Sequence, residues 1–307
     1  MKILLTGARG MVGRNILEHP ESKNFEFLSP ARAELNLLDA LEVDNYLKKH
    51  NPEFIIHAAG VVGGIQANIK NPVNFLVDNM LMGINLITAA RNNNIKNLLN
   101  LGSSCMYPRG IDSALHEQLI LKGELEPTNE GYALAKVAAA RLCEYIVRED
   151  PDFLYKTAIP CNLYGKYDKF DAQNSHMIPA VITKIAEAVA QGQENINIWG
   201  DGEARREFMY AEDLAEFIFY AIDNFSRMPQ NLNVGLGYDY SINDYYKVIA
   251  EVVGYAGTFK HDLTKPVGMR RKLIDSTLLA QFGWKSKTDL NTGITKTYQY
   301  FLNEVVK

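Results

Sequence analysis

Tyr132 and Lys136 stand four residues apart in Gly-Tyr-Ala-Leu-Ala-Lys, downstream of an apolar stretch that ends Leu101-Gly102-Ser103-Ser104-Cys105. On a helix, positions i and i+4 share a face, so phenol and ammonium become neighbours. An ammonium beside a phenol favours phenolate, and a proton ordinarily lost near pH ~10 becomes transferable closer to neutrality. A Ser hydroxyl delivered from a strand end then holds the oxygen that gains or loses that proton. Tyr and Lys at this spacing also mark an ordinary amphipathic face. What turns the pair into a candidate site is the N-terminus.

There, Lys2 to Thr6 reads as a short buried strand, followed by Gly7-Ala8-Arg9-Gly10-Met11-Val12-Gly13 opening a helix. Glycines 7, 10 and 13 let the backbone turn tightly and approach a pyrophosphate, whose charge a helix N-terminus stabilises. Gly7, Arg9, Gly10, Met11, Val12 and Gly13 are therefore candidate dinucleotide contacts. An NAD site usually carries Asp or Glu at the end of the second strand, whereas Arg accommodates the 2′-phosphate of NADP. Here that segment reads Phe27-Leu28-Ser29-Pro30-Ala31-Arg32, with no acid at the turn. Arg32 and Arg9 together favour NADP. Asp39, after Asn36-Leu37-Leu38, is a candidate acceptor for the adenine amino group and equally a helix N-cap. His57 ends a third strand as a structural residue, and the small Ala58 and Ala59 after it let the chain pass close to the cofactor.

Elements that position these groups can be read in order. Strands are expected near 25–28, 54–57, 98–101 and 155–159, alternating with helices near 71–91 and 131–147. That alternation implies right-handed crossovers and a Rossmann-type, doubly wound parallel sheet with helices on both faces. After Pro160 the order is less regular: helices near 179–191, 213–224, 242–253 and after Asp289, a strand at 196–199, and a strand at 232–234 that rejoins the sheet. The expected division is a dinucleotide domain over 1–165 with a returning segment near 211–236. A smaller, interleaved α/β domain for substrate would comprise 166–210 and 237–307.

Composition bounds the rest. The chain has 307 residues, 47% hydrophobic and 22% charged, with formal net charge −4. The mixed-sign charge argues against a nucleic-acid partner. Cys105, Cys143 and Cys161 form no C-x-x-C pair and are odd in number, which fits a reducing cytosol. No uninterrupted apolar segment approaches the ~20 residues that span a bilayer, and the opening apolar run is too short for a signal peptide. A soluble, cytoplasmic protein with no membrane span and no metal site is expected.

The glycine spacing, His57-Ala58-Ala59-Gly60, Ser103 and Tyr132-x-x-x-Lys136 together resemble the extended short-chain dehydrogenase/reductase family. Longer stretches resemble its GDP-L-fucose synthase branch, the GDP-4-keto-6-deoxy-mannose epimerase-reductases. They include Gly63-Gly64-Ile65-Gln66-Ala67-Asn68, Leu101 to Pro108, Leu125 to Glu130, Asn162-Leu163-Tyr164-Gly165, Asn174-Ser175-His176 and Arg206-Glu207-Phe208. By that resemblance NADPH is the cofactor and a GDP-linked 4-keto-6-deoxy sugar the substrate. Ser103, Tyr132 and Lys136 would be the reductase triad, with Lys136 binding the nicotinamide ribose and lowering the Tyr pKa. Cys105 and His176 match the acid/base pair that epimerises carbons 3 and 5. Ser104, Asn162, Lys184, Trp199, Arg206 and Lys272 fall at substrate positions, and a homodimer built from the helices of the Tyr132 segment is implied.

Trp199 could also fill the core, and Lys184 could lie on a solvated helix face. Departures from the branch lie close to the implied substrate site: Val61 replaces Lys, Lys166 replaces Pro, Lys169 replaces Asn, and Pro266-Val267-Gly268-Met269-Arg270 replaces Pro-Asp-Gly-Thr-Pro. They make a GDP-6-deoxy-4-keto-heptose, reduced without epimerisation, the alternative substrate. A 4,6-dehydratase is disfavoured by Ser104-Cys105 where an Asp-Glu pair is usual, and an NAD-dependent 4-epimerase by Arg9 and Arg32. A redox-inactive NADP-binding regulator has no need of a complete proton relay.

Overall fold

The computed structural model describes residues 1–306 apart from 172–174 and 266–268. Six strands, β1 (Lys2–Thr6), β2 (Glu26–Leu28), β3 (Phe54–His57), β4 (Asn97–Leu101), β5 (Leu154–Pro160) and, after four short strands described below, β10 (Asn231–Val234), form one sheet. Its order is β10-β5-β4-β3-β1-β2, and every pairing is parallel. Parallel strands need crossovers, supplied by α1 (Met11–Glu18), α2 (Ala40–His50), the short α3 (Ile65–Lys70) with α4 (Pro72–Asn92), and α5 (Glu130–Glu149). The strand expected at 232–234 does rejoin the sheet, at its edge beside β5.

Strand side chains alternate between two cores. Ile3, Leu5, Phe54, Ile56, Leu99 and Leu101 face one, while Leu4, Ile55, Leu98 and Tyr155 face the other with residues of α2, α4 and α5. Both faces are covered, so these strands read as continuous apolar runs. Helix α4 is long and apolar enough, by length and composition alone, to cross a membrane. In the fold it packs against α5 and α2 and buries Phe75, Asn79, Gly83 and Leu86.

Beyond β5 lie β6 (Asn162–Tyr164), α6 (Met177–Ala190), β7 (Asn195–Trp199), β8 (Arg205–Arg206), β9 (Phe208–Tyr210) and α7 (Ala211–Asp223). After β10 come β11 (Tyr240–Ser241), α8 (Ile242–Val253), β12 (Thr258–Asp262), β13 (Arg271–Lys272), α9 (Thr277–Phe282) and α10 (Leu290–Tyr300). Helix α7 packs against α1 and joins the first core through Leu214, Phe217 and Ile218. A separate core gathers Ile178, Ile182 and Ile185 of α6, Ile196 and Ile198 of β7, Tyr245 and Ile249 of α8, and Ile294 of α10. Helix α8 starts where its sequence says it should: Ser241 and Asp244 form a reciprocal capping box, and Gly254 closes it in the left-handed region.

Candidate active site

The loops leaving β1, β3, β4 and β5 converge at the carboxyl edge of the sheet, where parallel α/β folds bind ligands. Gly7 sits at φ +73°, and a Cβ there would stand 2.7 Å from the Ala58 carbonyl and the Ala59 nitrogen. A Cβ on Gly13 would lie 2.3 Å from the Gly7 oxygen. Only glycine lets the β1 loop nest against Ala58 and Ala59, with Met11 and Val12 half-buried at the start of α1. Gly10 closes the turn, donating its N–H to Gly7 O at 2.9 Å.

Arg9 and Arg32 are exposed on this side, and neither makes an ion pair among the described residues. This cradle fits a dinucleotide, with two available guanidinium groups for a phosphate. Asp39 caps α2, its carboxylate accepting from Leu41 N and Glu42 N at 2.9 and 3.0 Å. Asn36 Oδ1 accepts from Leu38 N at 3.3 Å, and the buried Leu37 accepts from Asn85 Nδ2 at 2.9 Å. His57 is structural: Nδ1 meets Thr6 Oγ1 at 2.9 Å, and burial with the nearby Lys136 charge holds the ring neutral, its pKa lowered to about 3.

Strand β4 delivers Ser103 into a single-turn helix, where its Oγ accepts from Cys105 N at 3.3 Å. The Ser103 side chain also neighbours the Tyr132 hydroxyl. Lys136 is buried and donates to Leu101 O at 2.9 Å, with Nζ 5.8 Å from the Tyr132 ring centre. Burial lowers the Lys136 pKa to about 8. The expectation that Lys136 depresses the Tyr132 pKa is corrected. Burial pushes the phenol up, nearby Cys105 opposes ionisation further, and the neighbouring Ser103 hydroxyl only moderates this. A phenol kept protonated is the form a proton donor needs. Cys105, packed with Leu125, Ala133 and Tyr132, is likewise pushed up by burial, against the pull of Lys272, Ser103 and Lys136.

The structure also names two residues that sequence reasoning passed over. Asn79, buried on α4, clamps Val61 by accepting from its N–H at 2.8 Å and donating to its carbonyl at 3.1 Å. This fixes the loop in which a Cβ on Gly60 would lie 3.8 Å from Lys136 Nζ. A polar residue on the buried face of an apolar helix was the available signal. Glu207, buried at the head of β9, accepts from Leu236 N at 2.5 Å, Gly237 N at 3.0 Å and Ile274 N at 3.0 Å. It ties the chain after β10 and β13 to the site, with burial raising its pKa to about 7.

Of the implied substrate residues, Ser104 is buried and Asn162 donates to Glu207 O at 3.0 Å. Lys272 pairs with Arg206 across β13 and β8. Burial lowers the Lys272 pKa, and the nearby Cys105 thiol opposes this. Trp199 does not fill the core: it is 56% exposed at the end of β7, with Lys265 Nζ 5.8 Å from its ring. Lys184 is half-buried, bonded to Asn197 O, and burial lowers its pKa; it is not a freely solvated cation.

His176 begins α6, its Nδ1 3.4 Å from Asp168 Oδ1. No hydrogen bond joins His176 to Cys105 among the described residues. Cys143 and Cys161 are buried and unpaired. Among the departures, Lys166 pairs with Glu212 at 3.0 Å and Lys169 Nζ donates to Val62 O at 3.0 Å. Asn174 and Pro266 to Gly268 lie outside the described residues.

The sequence profile of the NAD dependent epimerase/dehydratase family matches residues 3–235, covering the glycine loop, Ser103, Tyr132 and Lys136. The chain belongs to this family. Within it, the chain is 70% identical over 304 residues to a GDP-L-colitose synthase of Yersinia pseudotuberculosis, covering 99% of each chain. It is 47% identical over 306 residues to a GDP-L-fucose synthase of Azorhizobium caulinodans, covering 99% of this chain and 98% of that one. Its fold is similar to that of a GDP-mannoheptose C4 reductase from Campylobacter jejuni with NADP bound, with TM-score 0.89, 27% identity and 98% of each chain covered.

Proposed function

We propose that the chain uses NADPH to reduce the carbon-4 ketone of a GDP-linked 4-keto-6-deoxy sugar, with epimerisation beside that ketone. One observation carries this reading: Ser103, Tyr132, Lys136 and Cys105 gather in one cluster at the end of β4, beside the cradle of Gly7 and Gly13. NADPH, when bound, supplies the hydride for the carbonyl carbon. Gly7, Gly10 and Gly13 would hold its pyrophosphate, Arg9 and Arg32 its 2′-phosphate, and Lys136 its nicotinamide ribose. Tyr132 gives its phenolic proton to the carbonyl oxygen, and Ser103 Oγ donates a hydrogen bond to the same oxygen as charge develops there. Lys136, near its own pKa at neutrality, stabilises the phenolate left behind.

A proton on a carbon next to a ketone is acidic because its electron pair can move onto oxygen. Cys105, kept as a thiol by burial, and His176 serve as the two proton carriers that inversion needs. Lys272 and Arg206 meet the diphosphate, and the exposed Trp199 meets the base. The segments 166–210 and 237–307 form this sugar-nucleotide half. The GDP-L-colitose synthase likeness favours a 3,6-dideoxy sugar, in which carbon 3 carries no hydroxyl and carbon 5 alone is inverted.

Val73, Val77, Leu81 and Ile84 stand 38–67% exposed along one stripe of α4, and Leu134 of the adjoining α5 is 38% exposed; they support a homodimer through these helices. Three free, buried cysteines accord with a reducing cytosol. The test is NADPH oxidation with product analysis for three GDP-4-keto-6-deoxy substrates: mannose-derived, its 3-deoxy counterpart, and a heptose. Fastest turnover of the 3-deoxy sugar, with inversion at carbon 5, is expected. Turnover of the heptose alone, without inversion, would establish the dedicated C4 reductase instead.

A further inference from the structure

We propose that Asp168 is the positioning residue of the proton-transfer pair: its buried carboxylate holds His176 Nδ1 and leaves Nε2 to exchange a proton with the carbon beside the ketone. This rests on the epimerase-reductase reading above. The Asp168 side chain is 4% exposed, against 38% for His176. Its Oδ1 lies 3.4 Å from His176 Nδ1 and accepts the Lys169 backbone N–H at 2.8 Å. Its Oδ2 is fully enclosed and has no hydrogen-bond partner among the described residues.

An enclosed carboxylate oxygen without a donor is costly, and a cation forming alongside offsets that cost. The imidazole is the group placed to become that cation. With Nδ1–H donated to Oδ1, the ring is held in the tautomer whose Nε2 carries a lone pair. Nε2 itself has no protein partner among the described residues. When it takes the carbon-bound proton, the C–H bond breaks and its electron pair becomes the enolate of the carbon-4 ketone. The positive charge left on the ring then faces the carboxylate. Return of a proton from Cys105 Sγ–H on the other face re-forms the C–H bond and completes inversion.

The surrounding chain holds this pair against the rest of the site. Lys169 Nζ donates to Val62 O at 3.0 Å, and a Cβ on Gly64 would stand 3.0 Å from Ser175 O. The 60–64 loop thus abuts the His176 segment at one end and reaches Lys136 Nζ at the other, by Gly60. A carboxylate 4% exposed is an odd choice for a loop whose only need is solvation. It is a sound one for orienting an imidazole.

The test incubates the full chain with NADP⁺ and the keto-sugar in deuterated water, and reads deuterium at carbon 5 by NMR. A parallel reaction with NADPH reads the configuration of the product there. Asp168→Asn is expected to slow deuterium entry about a hundred-fold, and to raise the share of reduced product that keeps the original configuration. Asp168→Glu, which restores a carboxylate, is expected to recover part of the exchange. A merely structural role predicts equal losses of exchange and reduction in both variants, and that result overturns the proposal. So does unchanged exchange in Asp168→Asn. Absence of deuterium entry with the unaltered chain overturns the epimerase reading itself, and the proposal with it.

Discussion

Replacing Lys136 with Met should make the protein more stable and nearly inactive. Lys136 is 7% exposed, and its ammonium donates to Leu101 O at 2.9 Å. Burial lowers its pKa from 10.5 to about 8. The unfolded chain keeps this proton up to about pH 10.5, the folded chain only up to about 8. Below pH 8 both states are charged, and the folded state carries the full cost of burying that charge. As pH rises from about 8 to 10.5 the folded lysine is already neutral, so the unfolded state binds more protons and stability climbs.

The cost is roughly 3 kcal/mol, at ~1.36 kcal/mol for each pH unit of displacement. Methionine is of similar length, carries no charge and forfeits the hydrogen bond to Leu101, worth about 1 kcal/mol. The expected balance is a gain of about 1–2 kcal/mol at neutral pH, shrinking with alkalinity and reversing once the wild-type lysine is neutral in both states. Urea unfolding of both proteins without nucleotide, at neutral pH and above pH ~9, reads this difference. A variant less stable than wild type at neutral pH, or a difference that does not change with pH, would refute the charge-burial argument. Reduction should fall about 10²-fold or more in the same variant.

Tyr132→Phe removes the proton donor but keeps the ring that packs with Cys105, Leu125 and Ala133. Single-turnover reduction should drop by about 10²–10⁴ while the melting temperature stays within a few degrees, and near-normal turnover would rule out the donor role. Changing Arg9 and Arg32 together to Ser should weaken NADPH binding by tenfold or more and leave NADH binding little changed, measured by calorimetry; equal losses for both nucleotides would remove these residues from the 2′-phosphate. If the stripe on α4 is the proposed dimer interface, Leu81→Asp, placed mid-stripe on its exposed side, should give a monomer in light scattering where wild type gives a dimer. A wild-type monomer or an unchanged dimer mass would refute that interface.

Much of the dinucleotide half was legible because its signals are local. Lys2–Thr6 and Phe54–His57 are apolar runs covered on both sides, and such strands announce their own limits. Gly7 and Gly13 are demanded by backbone contacts a few residues away or one strand over. Helix α8 was read to the residue because Ser241 and Gly254 mark both ends. The short pieces were missed where long-range pairing creates them: Arg205–Arg206 is a strand only because Tyr240, Ser241, Arg271 and Lys272 lie beside it. For helix α2 the sequence offered only a start, Asp39 as a helix N-cap in one of two readings, and no extent, because its buried face is only Val43 and Leu47.

In the site, residue types were readable but the balance of forces was not. Lys136 four residues from Tyr132 suggested a lowered phenol pKa, whereas the fold buries the hydroxyl and hands the ammonium to Leu101 O. Asn79 and Glu207 act on backbone groups distant in sequence, and a linear reading holds no trace of those partners.

The central claim is that Ser103, Tyr132 and Lys136 pass a proton to the carbon-4 oxygen of a GDP-linked keto-sugar while NADPH reduces it. The most direct measurement supplies NADPH deuterated at its transferable position together with the GDP-4-keto-6-deoxy sugars, and follows the product by NMR. Deuterium at carbon 4, a new hydroxyl there and one NADPH consumed for each product are predicted. NADPH left unconsumed with the mannose-derived, 3-deoxy and heptose substrates, or product whose carbon 4 carries no deuterium, would contradict the account.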